Sequence, residues 1–241
     1  MKKRQNTSYA VMAQRIEAQD SLDDFPTPPW ATRALIEHVL GGKKRVKSQV
    51  CLEPACGAGH MAKVLSEYFN KVRAADIHPH GYGDVHDFLG TPHETNSFDW
   101  VITNPPFRLG EDFTLLALKL ARRGVAMLTR TVFIESVGRY DRLFSVNPPS
   151  HFAQFTERVP MVKGRLDRRA STATGYCWLV WDKESSGGTQ LVWIPPCRKA
   201  LERDSDYELP PKPVATAKSV GAKETVKPRV SARQQIDLFG T

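Results

Sequence analysis

Apolar and polar positions follow two different patterns between residues 25 and about 196. Short apolar runs bounded by Gly or Pro are typical of buried strands, whereas apolar positions spaced three or four apart indicate helices. Strands that alternate with helices indicate an α/β fold with a mostly parallel sheet. The pattern predicts strands at 50–53, 72–77, 100–103 and 124–128, and helices at 60–69 and 112–122.

The last third of this region has longer strand-like segments and no helix-like segment between them. Residues 152–162 and 176–181 read as two long strands that flank a polar, basic loop at 163–175. Two strands joined in this way indicate an antiparallel hairpin added to the parallel sheet. Residues 190–194 predict a further strand at the edge of the sheet.

The two ends of the chain differ in composition from the middle. Residues 210–233 are rich in Lys and Pro and contain a single acid, so they cannot bury enough apolar surface to fold. We therefore predict a flexible N-terminal segment at 1–24, a folded domain at 25–197, a basic disordered linker at 198–234 and a separate C-terminal motif at 235–241.

Overall composition narrows the class of protein. The 241 residues are 41% hydrophobic and 25% charged, as in an ordinary soluble protein. The net charge of +8 favours a polyanionic partner. We find neither a signal peptide nor an apolar run of the ~18 residues that span a membrane. The four cysteines have no CxxC spacing, so we expect reduced thiols and a cytoplasmic location.

The tetrapeptide Asn104-Pro105-Pro106-Phe107 follows one of the predicted strands. Two prolines remove two N–H donors and fix the backbone, so the chain must leave the sheet here. The neighbouring carbonyls and the Asn104 side-chain oxygen are then rigid acceptors beside an aromatic face. Such a turn is suited to holding an –NH2 group.

A glycine loop, residues 51–59, lies between the first predicted strand and the first helix. Glycines allow a ligand to approach the backbone closely, and Gly57, Gly59 and Ala62 satisfy the dinucleotide pattern G-x-G-x-x-A. Asp76 ends the next strand, where an acid can bind ribose hydroxyls. These residues alone therefore leave a dinucleotide oxidoreductase open as an alternative.

Taken together, these motifs resemble those of one enzyme family. Residues 53–59 resemble motif I of class I methyltransferases, Asp76 occupies the motif II position, and Asp87-Phe88 resembles motif III. Residues 25–30 resemble motif X, and residues 104–107 resemble motif IV of amino-group methyltransferases. The order X, I, II, III, IV, followed by a hairpin, is similar to the γ arrangement of DNA adenine-N6 methyltransferases, and the resemblance covers about residues 25–182.

This resemblance implies a Rossmann-like class I methyltransferase sheet with S-adenosylmethionine as cofactor. The residues that it implies for cofactor binding are Phe25, Thr27, Pro28, Glu53, Pro54, Ala55, Cys56, Gly57, Gly59, Asp76, Ile77, Asp87, Phe88 and Asn104. The catalytic residues that it implies are Asn104, Pro105, Pro106 and Phe107. Asn104 and the Pro105 carbonyl would accept hydrogen bonds from N6 of a flipped-out adenine, and Phe107 would stack on that base.

DNA is the expected partner, with an RNA amino-group methyltransferase as the alternative. The basic hairpin loop offers phosphate contacts through Arg165, Arg168 and Arg169. Histidines between residues 78 and 93 are close in sequence, but we expect no metal site because the two flanking acids are assigned to the cofactor.

The last residues carry a separate resemblance. Gln235, Ile236, Asp237, Leu238 and Phe239 are similar to the bacterial sliding-clamp-binding motif. The basic linker would then tether the enzyme to a DNA polymerase clamp and raise its effective concentration on DNA.

Overall fold

The short apolar runs become the strands of one eight-stranded sheet in the computed structural model, which describes residues 23–207. The strands are β1 (Val50–Glu53), β2 (Lys71–Asp76), β3 (Asp84–Val85), β4 (Phe98–Thr103), β5 (Ala121–Arg130), β6 (His151–Phe155), β7 (Tyr176–Asp182) and β8 (Gln190–Ile194). Their order is β3-β2-β1-β4-β5-β7-β6-β8. All neighbours are parallel except β7, which is antiparallel to both β5 and β6. The predicted α/β class and antiparallel hairpin are confirmed.

Helices cover both faces of this sheet. They are α1 (Pro29–His38), α2 (Lys43–Val46), α3 (His60–Tyr68), α4 (Gly110–Leu120), α5 (Val137–Arg139) and α6 (Arg198–Leu201). A π-helix at Tyr140–Phe144 continues α5, and 3-10 helices span Thr131–Ile134 and Asp204–Tyr207. No helix within residues 23–207 is long and apolar enough to cross a membrane.

Side chains of the central strands alternate between two apolar layers. Trp100, Ile102 and Trp178 pack with α1 and α3 on one face, whereas Val101 and Leu179 pack with α4 on the other. Because both faces are covered, the strands read as continuous apolar runs rather than as alternating apolar and polar positions. Helix α4 begins and ends two residues earlier than predicted, and β5 follows it directly.

The first hairpin strand is shorter than predicted. It ends at Phe155 rather than at residue 162. The Thr156 amide still donates to the Ile194 carbonyl of β8 at 3.1 Å, directly after the strand ends. Pro160 then offers no N–H to a ladder. The connection to β7 is therefore a long loop over residues 156–175, and β8 forms the edge parallel to β6.

The folded domain extends beyond its predicted end at residue 197. Residues 198–207, assigned from composition to the disordered linker, form α6 and a 3-10 helix. Arg33 of α1 pairs with Asp206 at 2.8 Å and with Glu67 at 2.8 Å, and its guanidinium also donates to the Leu201 carbonyl. The segment folds because its Asp206 carboxylate pairs with the buried guanidinium of Arg33. Composition alone does not reveal that pairing. Residues 1–22, the rest of the predicted linker and the clamp-like motif lie outside the described residues.

Candidate active site

The carboxyl ends of the central parallel strands meet at one edge of the sheet. Glu53 is the last residue of β1, Asp76 the last of β2, and Asn104 follows β4. Strand β1 pairs with β2 on one side and with β4 on the other, so the strand order reverses between β1 and β4. Ligands of open α/β sheets bind at such a reversal.

The glycine loop is fixed to β2 by hydrogen bonds. Both oxygens of Asp76 accept from backbone amides, from Gly57 at 2.9 Å and from His78 at 2.9 Å. Gly59 has a φ of +82°, and a Cβ there would lie 2.3 Å from the Tyr82 ring. Glycine is therefore required at this position both by the backbone angle and by the close tyrosine.

The cavity beside this loop, here called the cofactor cavity, is acidic. Its lining residues are Asp23, Asp24, Phe25, Pro26, Thr27, Glu53, Ala55, Cys56, Ala58, His60, Met61, Asp76, His78, His80 and Asn104. Four of them are carboxylic acids, and within the described part of the chain no Lys or Arg lines the cavity. Such a lining attracts a cation and repels a pyrophosphate, so it disfavours the dinucleotide alternative.

Two buried groups in this cavity have raised pKa values. Burial, helped by the nearby Asp76, raises the pKa of Glu53 well above its ordinary value, although the Ala62 amide opposes the shift. Glu53 Oε2 is buried and has no hydrogen-bond partner in the described part of the chain. Burial raises the pKa of the Cys56 thiol to about 12, so this cysteine stays protonated and is a poor nucleophile. The unpartnered carboxyl oxygen is free to interact with a positively charged ligand.

The predicted cofactor residues are placed as follows. Those that line the cavity are Phe25, Thr27, Glu53, Ala55, Cys56, Asp76 and Asn104. Gly57 and Gly59 shape the loop through their backbone, and Pro28 and Pro54 are buried next to lining residues. Ile77 follows Asp76 and is 55% exposed, which leaves an apolar side chain open to a ligand.

Asp87 and Phe88 are not brought into the cavity lining. Phe88 is buried, and its ring lies 4.9 Å from that of Phe113. Asp87 Oδ1 accepts from the amides of Leu89 and Gly90 and closes a turn. Their observed roles are in packing and in a turn, because the chain after the short strand β3 directs the aromatic ring into the core.

The turn at 104–107 presents an acceptor that no residue within 23–207 satisfies. Asn104 Nδ2 donates to the Phe25 carbonyl at 2.9 Å, whereas Asn104 Oδ1 is buried and has no partner among these residues. Asp23 Oδ2 accepts from the Phe107 amide at 2.5 Å and fixes the far end of the turn. A buried acceptor costs about 1–3 kcal/mol while unpaired, so the turn is prepared to accept a donor from a ligand.

Phe107 lies between two other side chains. Its ring centroid is 5.2 Å from that of Phe25, and the guanidinium carbon of Arg130 is 3.9 Å from the Phe107 centroid. Met161 Sδ is 3.9 Å from Asn104 Nδ2, so the long hairpin loop also reaches the turn. Asp23 and Met161 were not identified from the sequence. The signal in the sequence that could have identified Asp23 is its position in a pair of acids, Asp23 and Asp24, directly before motif X.

The hairpin-loop arginines are largely neutralised. Arg165 pairs with Asp167 at 3.2 Å, and Arg168 pairs with Glu202 at 3.3 Å and with Asp204 at 2.7 Å. Arg169 is exposed. These carboxylates compete with phosphate for Arg165 and Arg168, so the structure weakens the sequence-based expectation for those two residues.

Comparison with known proteins adds the fold family. No protein-family model and no curated protein sequence matches the chain. The methyltransferase subunit of a type I restriction-modification system from Streptococcus thermophilus has a TM-score of 0.53 at 11% identity, over 76% of this chain and 51% of that chain. A modification subunit of a proposed type I restriction enzyme from Vibrio vulnificus YJ016 has a TM-score of 0.52 at 18% identity, over 78% of this chain and 51% of that chain. The chain has the Rossmann-like fold of class I methyltransferases and spans about half the length of these two proteins.

Proposed function

We propose that this protein transfers a methyl group from S-adenosylmethionine to the N6 amine of adenine in DNA. The observation that carries the proposal is the buried, unpartnered Oδ1 of Asn104 on the wall of the cofactor cavity. An exocyclic amine supplies the N–H donor that this oxygen lacks. The proline-rich turn holds the oxygen in place before the amine arrives.

The cofactor cavity fits S-adenosylmethionine by its charge. When bound, this cofactor supplies an electrophilic methyl group on a positively charged sulfur. Glu53 and Asp76 favour a cation in the cavity, and Asp76 stands at the end of β2 where a carboxylate can accept from ribose hydroxyls. Exposed Ile77 offers an apolar surface for a purine ring.

The chain's own residues would act on the amine by orientation and electrostatics. Asn104 Oδ1 and the Pro105 carbonyl would each accept an N–H bond, which turns the nitrogen lone pair toward the cofactor. Phe107 would stack on the base and hold its plane once Arg130, whose guanidinium carbon lies 3.9 Å from the ring centroid, moves aside. The neutral Cys56 thiol takes no part as a nucleophile. No base is needed before the attack, and the proton leaves the amine after the nitrogen has gained the methyl group.

The choice of adenine and DNA is supported by several features of the sequence. These are the motif order, the net charge of +8 and the clamp-like tail, which remains a prediction. The similarity in fold to two subunits of type I restriction systems supports DNA as the substrate. RNA as the substrate is the alternative outcome of the test.

The test is to incubate the protein with radiolabelled cofactor and unmethylated DNA, ribosomal RNA, transfer RNA or protein, and then to identify the modified nucleoside by mass spectrometry. We expect N6-methyladenine in DNA. Asn104→Ala should lower kcat by about 10²–10³-fold, as loss of one positioned hydrogen-bonding group does, and leave cofactor affinity almost unchanged. The matched control is Asn147→Ala, because Asn147-Pro148-Pro149 repeats the Asn-Pro-Pro sequence in the segment between the π-helix and β6. Label in RNA or protein alone would refute the DNA proposal, and full activity of Asn104→Ala would refute the mechanism.

A further inference from the structure

A groove beside the edge strand β8 takes no part in the site described above. We call it the Trp193 groove. It has a volume of about 430 Å³, and its lining includes Gln154, Thr156, Glu157, Arg158, Tyr176 and Trp193. No described residue lines both this groove and the cofactor cavity, and none of the turn residues 104–107 lines the groove.

The groove lies along the same edge of the sheet as the Asn104 turn. Asn104 follows the carboxyl end of β4, and the carboxyl ends of β6 and β8, at Phe155 and Ile194, point the same way. Tyr176, at the start of antiparallel β7, pairs with Arg130 at the end of β5. Four strand spacings of about 4.8 Å separate β4 from β8, so the groove begins about 19 Å from the turn along this edge.

Trp193 is the one exposed tryptophan of the chain. All five tryptophans lie within the described residues, and the other four are at most 5% exposed, whereas Trp193 is 62% exposed. Exposed aromatic rings are platforms on which unpaired nucleobases stack. A cavity of about 150 Å³ already holds a benzene ring, so the groove has room for a purine or a pyrimidine.

An unpaired arginine accompanies this indole ring. Arg158 forms no salt bridge with another residue between 23 and 207, and one of its guanidinium nitrogens would lie 3.5 Å from a Cβ at Gly175, at the start of β7. Glu157 also lines the groove, but its Oε1 accepts from the amides of Cys197 and Arg198, each at 2.7 Å.

A nucleotide matches this pair of side chains, because its base has an aromatic face and its phosphate is an anion. An apolar protein surface placed on Trp193 would instead cover Arg158 without a counter-ion, which costs free energy. The position of the groove on the edge that carries the Asn104 turn also favours a ligand that extends from that turn.

We propose that the Trp193 groove binds an unpaired DNA strand on one side of the methylated adenine, with a base stacked on Trp193 and a neighbouring phosphate on Arg158. The proposal rests on the proposed function, because it places the methylated base at the Asn104 turn. At about 3.4 Å per nucleotide of a helical strand, the separation of about 19 Å corresponds to at most about six nucleotides. A paired base has no free face for Trp193, so single-stranded DNA should bind more tightly than a blunt duplex of the same sequence.

The first experiment measures binding of the full chain to a short fluorescent single-stranded DNA and to its duplex. Trp193→Ala should weaken binding to the single strand about 5- to 100-fold, the range for loss of one stacked base, whereas Trp193→Phe should keep most of the affinity. Leu191→Ala is the matched control, because Leu191 is 55% exposed on the same strand and does not line the groove. Thermal unfolding should be alike for these variants, because both side chains are exposed.

Salt dependence tests the arginine separately. Arg158→Ala should reduce the slope of log affinity against log salt concentration by about 0.7, and Arg158→Lys should restore it. Arg165→Ala is the matched control, because this arginine of the same loop is already paired with Asp167 and should leave the slope unchanged.

The second experiment places 5-iodouracil at successive distances from the single adenine of a strand and maps the photo-cross-link by mass spectrometry. We expect an adduct at Trp193 when the two bases are several nucleotides apart, up to about six, and none when they are adjacent. Adducts confined to other residues, or equal affinity of Trp193→Ala and Leu191→Ala, would overturn the inference. Loss of a dimer in Trp193→Ala with unchanged affinity for DNA would overturn it as well, since the groove would then hold a second copy of the chain.

Neither experiment needs methyl transfer, so the two proposals can fail independently. A protein that methylates DNA without the Trp193 adduct would refute this inference alone. A protein that forms the adduct but transfers no methyl group to DNA would refute only the proposed function.

Discussion

Glu53→Gln should make the protein without cofactor more stable and at the same time weaken cofactor binding. Glu53 is buried at the end of β1, and its Oε2 has no hydrogen-bond partner among the residues that the structure describes. Its pKa in the folded protein is raised by burial and by Asp76 above the ordinary value of 4.5. Glutamine keeps the shape of the side chain but cannot ionise, so it removes the cost of holding a carboxyl group there.

The size of the effect follows from proton linkage. Above pH 4.5 the unfolded chain loses the Glu53 proton, whereas the folded protein keeps it until the pH reaches the raised pKa. Within that window Glu53 lowers the free energy of unfolding by about 1.4 kcal/mol for each pH unit. The stability difference between Glu53→Gln and the natural protein should therefore grow by that amount per unit.

Cofactor binding should show the opposite trend. A cation beside Glu53 favours the ionised carboxylate, so binding to the natural protein releases a proton. The affinity should rise by up to about tenfold per pH unit below the raised pKa. Glu53→Gln should bind more weakly and lack this part of the pH dependence. Three histidines also line the cavity, so the informative quantity is the difference between the two proteins.

Urea unfolding and calorimetric titration with S-adenosylmethionine between about pH 5 and 8 measure both effects. Glu94→Gln, at an exposed glutamate, is the control and should show neither effect. If Glu53→Gln and the natural protein differ in stability by a constant amount at every pH, Glu53 is already ionised in the folded state. That result would refute the reasoning.

Two further variants test the loop and the C-terminal segment. Gly59→Ala should abolish cofactor binding, because the added Cβ would lie 2.3 Å from a tyrosine ring. The control Gly81→Ala has a similar φ of +79° and no atom within 4 Å of its Cβ, so it should cost only the ~1–2 kcal/mol of backbone strain. Thermal unfolding and cofactor titration measure the stability and the binding of both variants. Asp206→Ala should lower the free energy of unfolding by about 2–4 kcal/mol, because it removes one of the two carboxylates that pair with buried Arg33. The control Arg203→Ala removes an exposed ion pair with Glu67 and should lower that free energy by less than ~1 kcal/mol. Urea unfolding measures both values. Equal costs for the last two variants would contradict the packing of residues 198–207.

Local patterns identified the elements that form this site. Each of these elements depends on residues that are neighbours in sequence. An apolar run forms the strand at 50–53, and glycines able to adopt positive φ form the loop after it. Prolines that cannot continue a sheet form the turn at 104–107. The motif resemblance assigned Glu53, Asp76 and Asn104 to one cofactor site. In the structure these three residues line one cavity, because parallel strands place their carboxyl ends at one edge of the sheet.

Contacts between distant residues could not be predicted in this way. The Arg33–Asp206 pair joins positions 173 residues apart, and composition alone assigned Asp206 to a disordered linker. The sequence alone predicts that Arg168 contacts phosphate, whereas in the structure Arg168 pairs with Glu202 and Asp204. Phe88 resembles a cofactor residue by motif but is directed into the core by the chain path after β3. In each case the partner supplied by the tertiary fold decides the role.

The neutral amide of Asn104 suits a side chain that both donates and accepts beside an acidic cavity. The cofactor cavity, which Asn104 lines, is lined by four carboxylic acids. Asn104 donates to the Phe25 carbonyl and keeps one acceptor free. An aspartate at this position would place a carboxylate oxygen against the Phe25 carbonyl, so that two acceptors would face each other, and would bring a further negative charge to the site. An asparagine provides both the donor that fixes the turn and the acceptor that we propose for the amine.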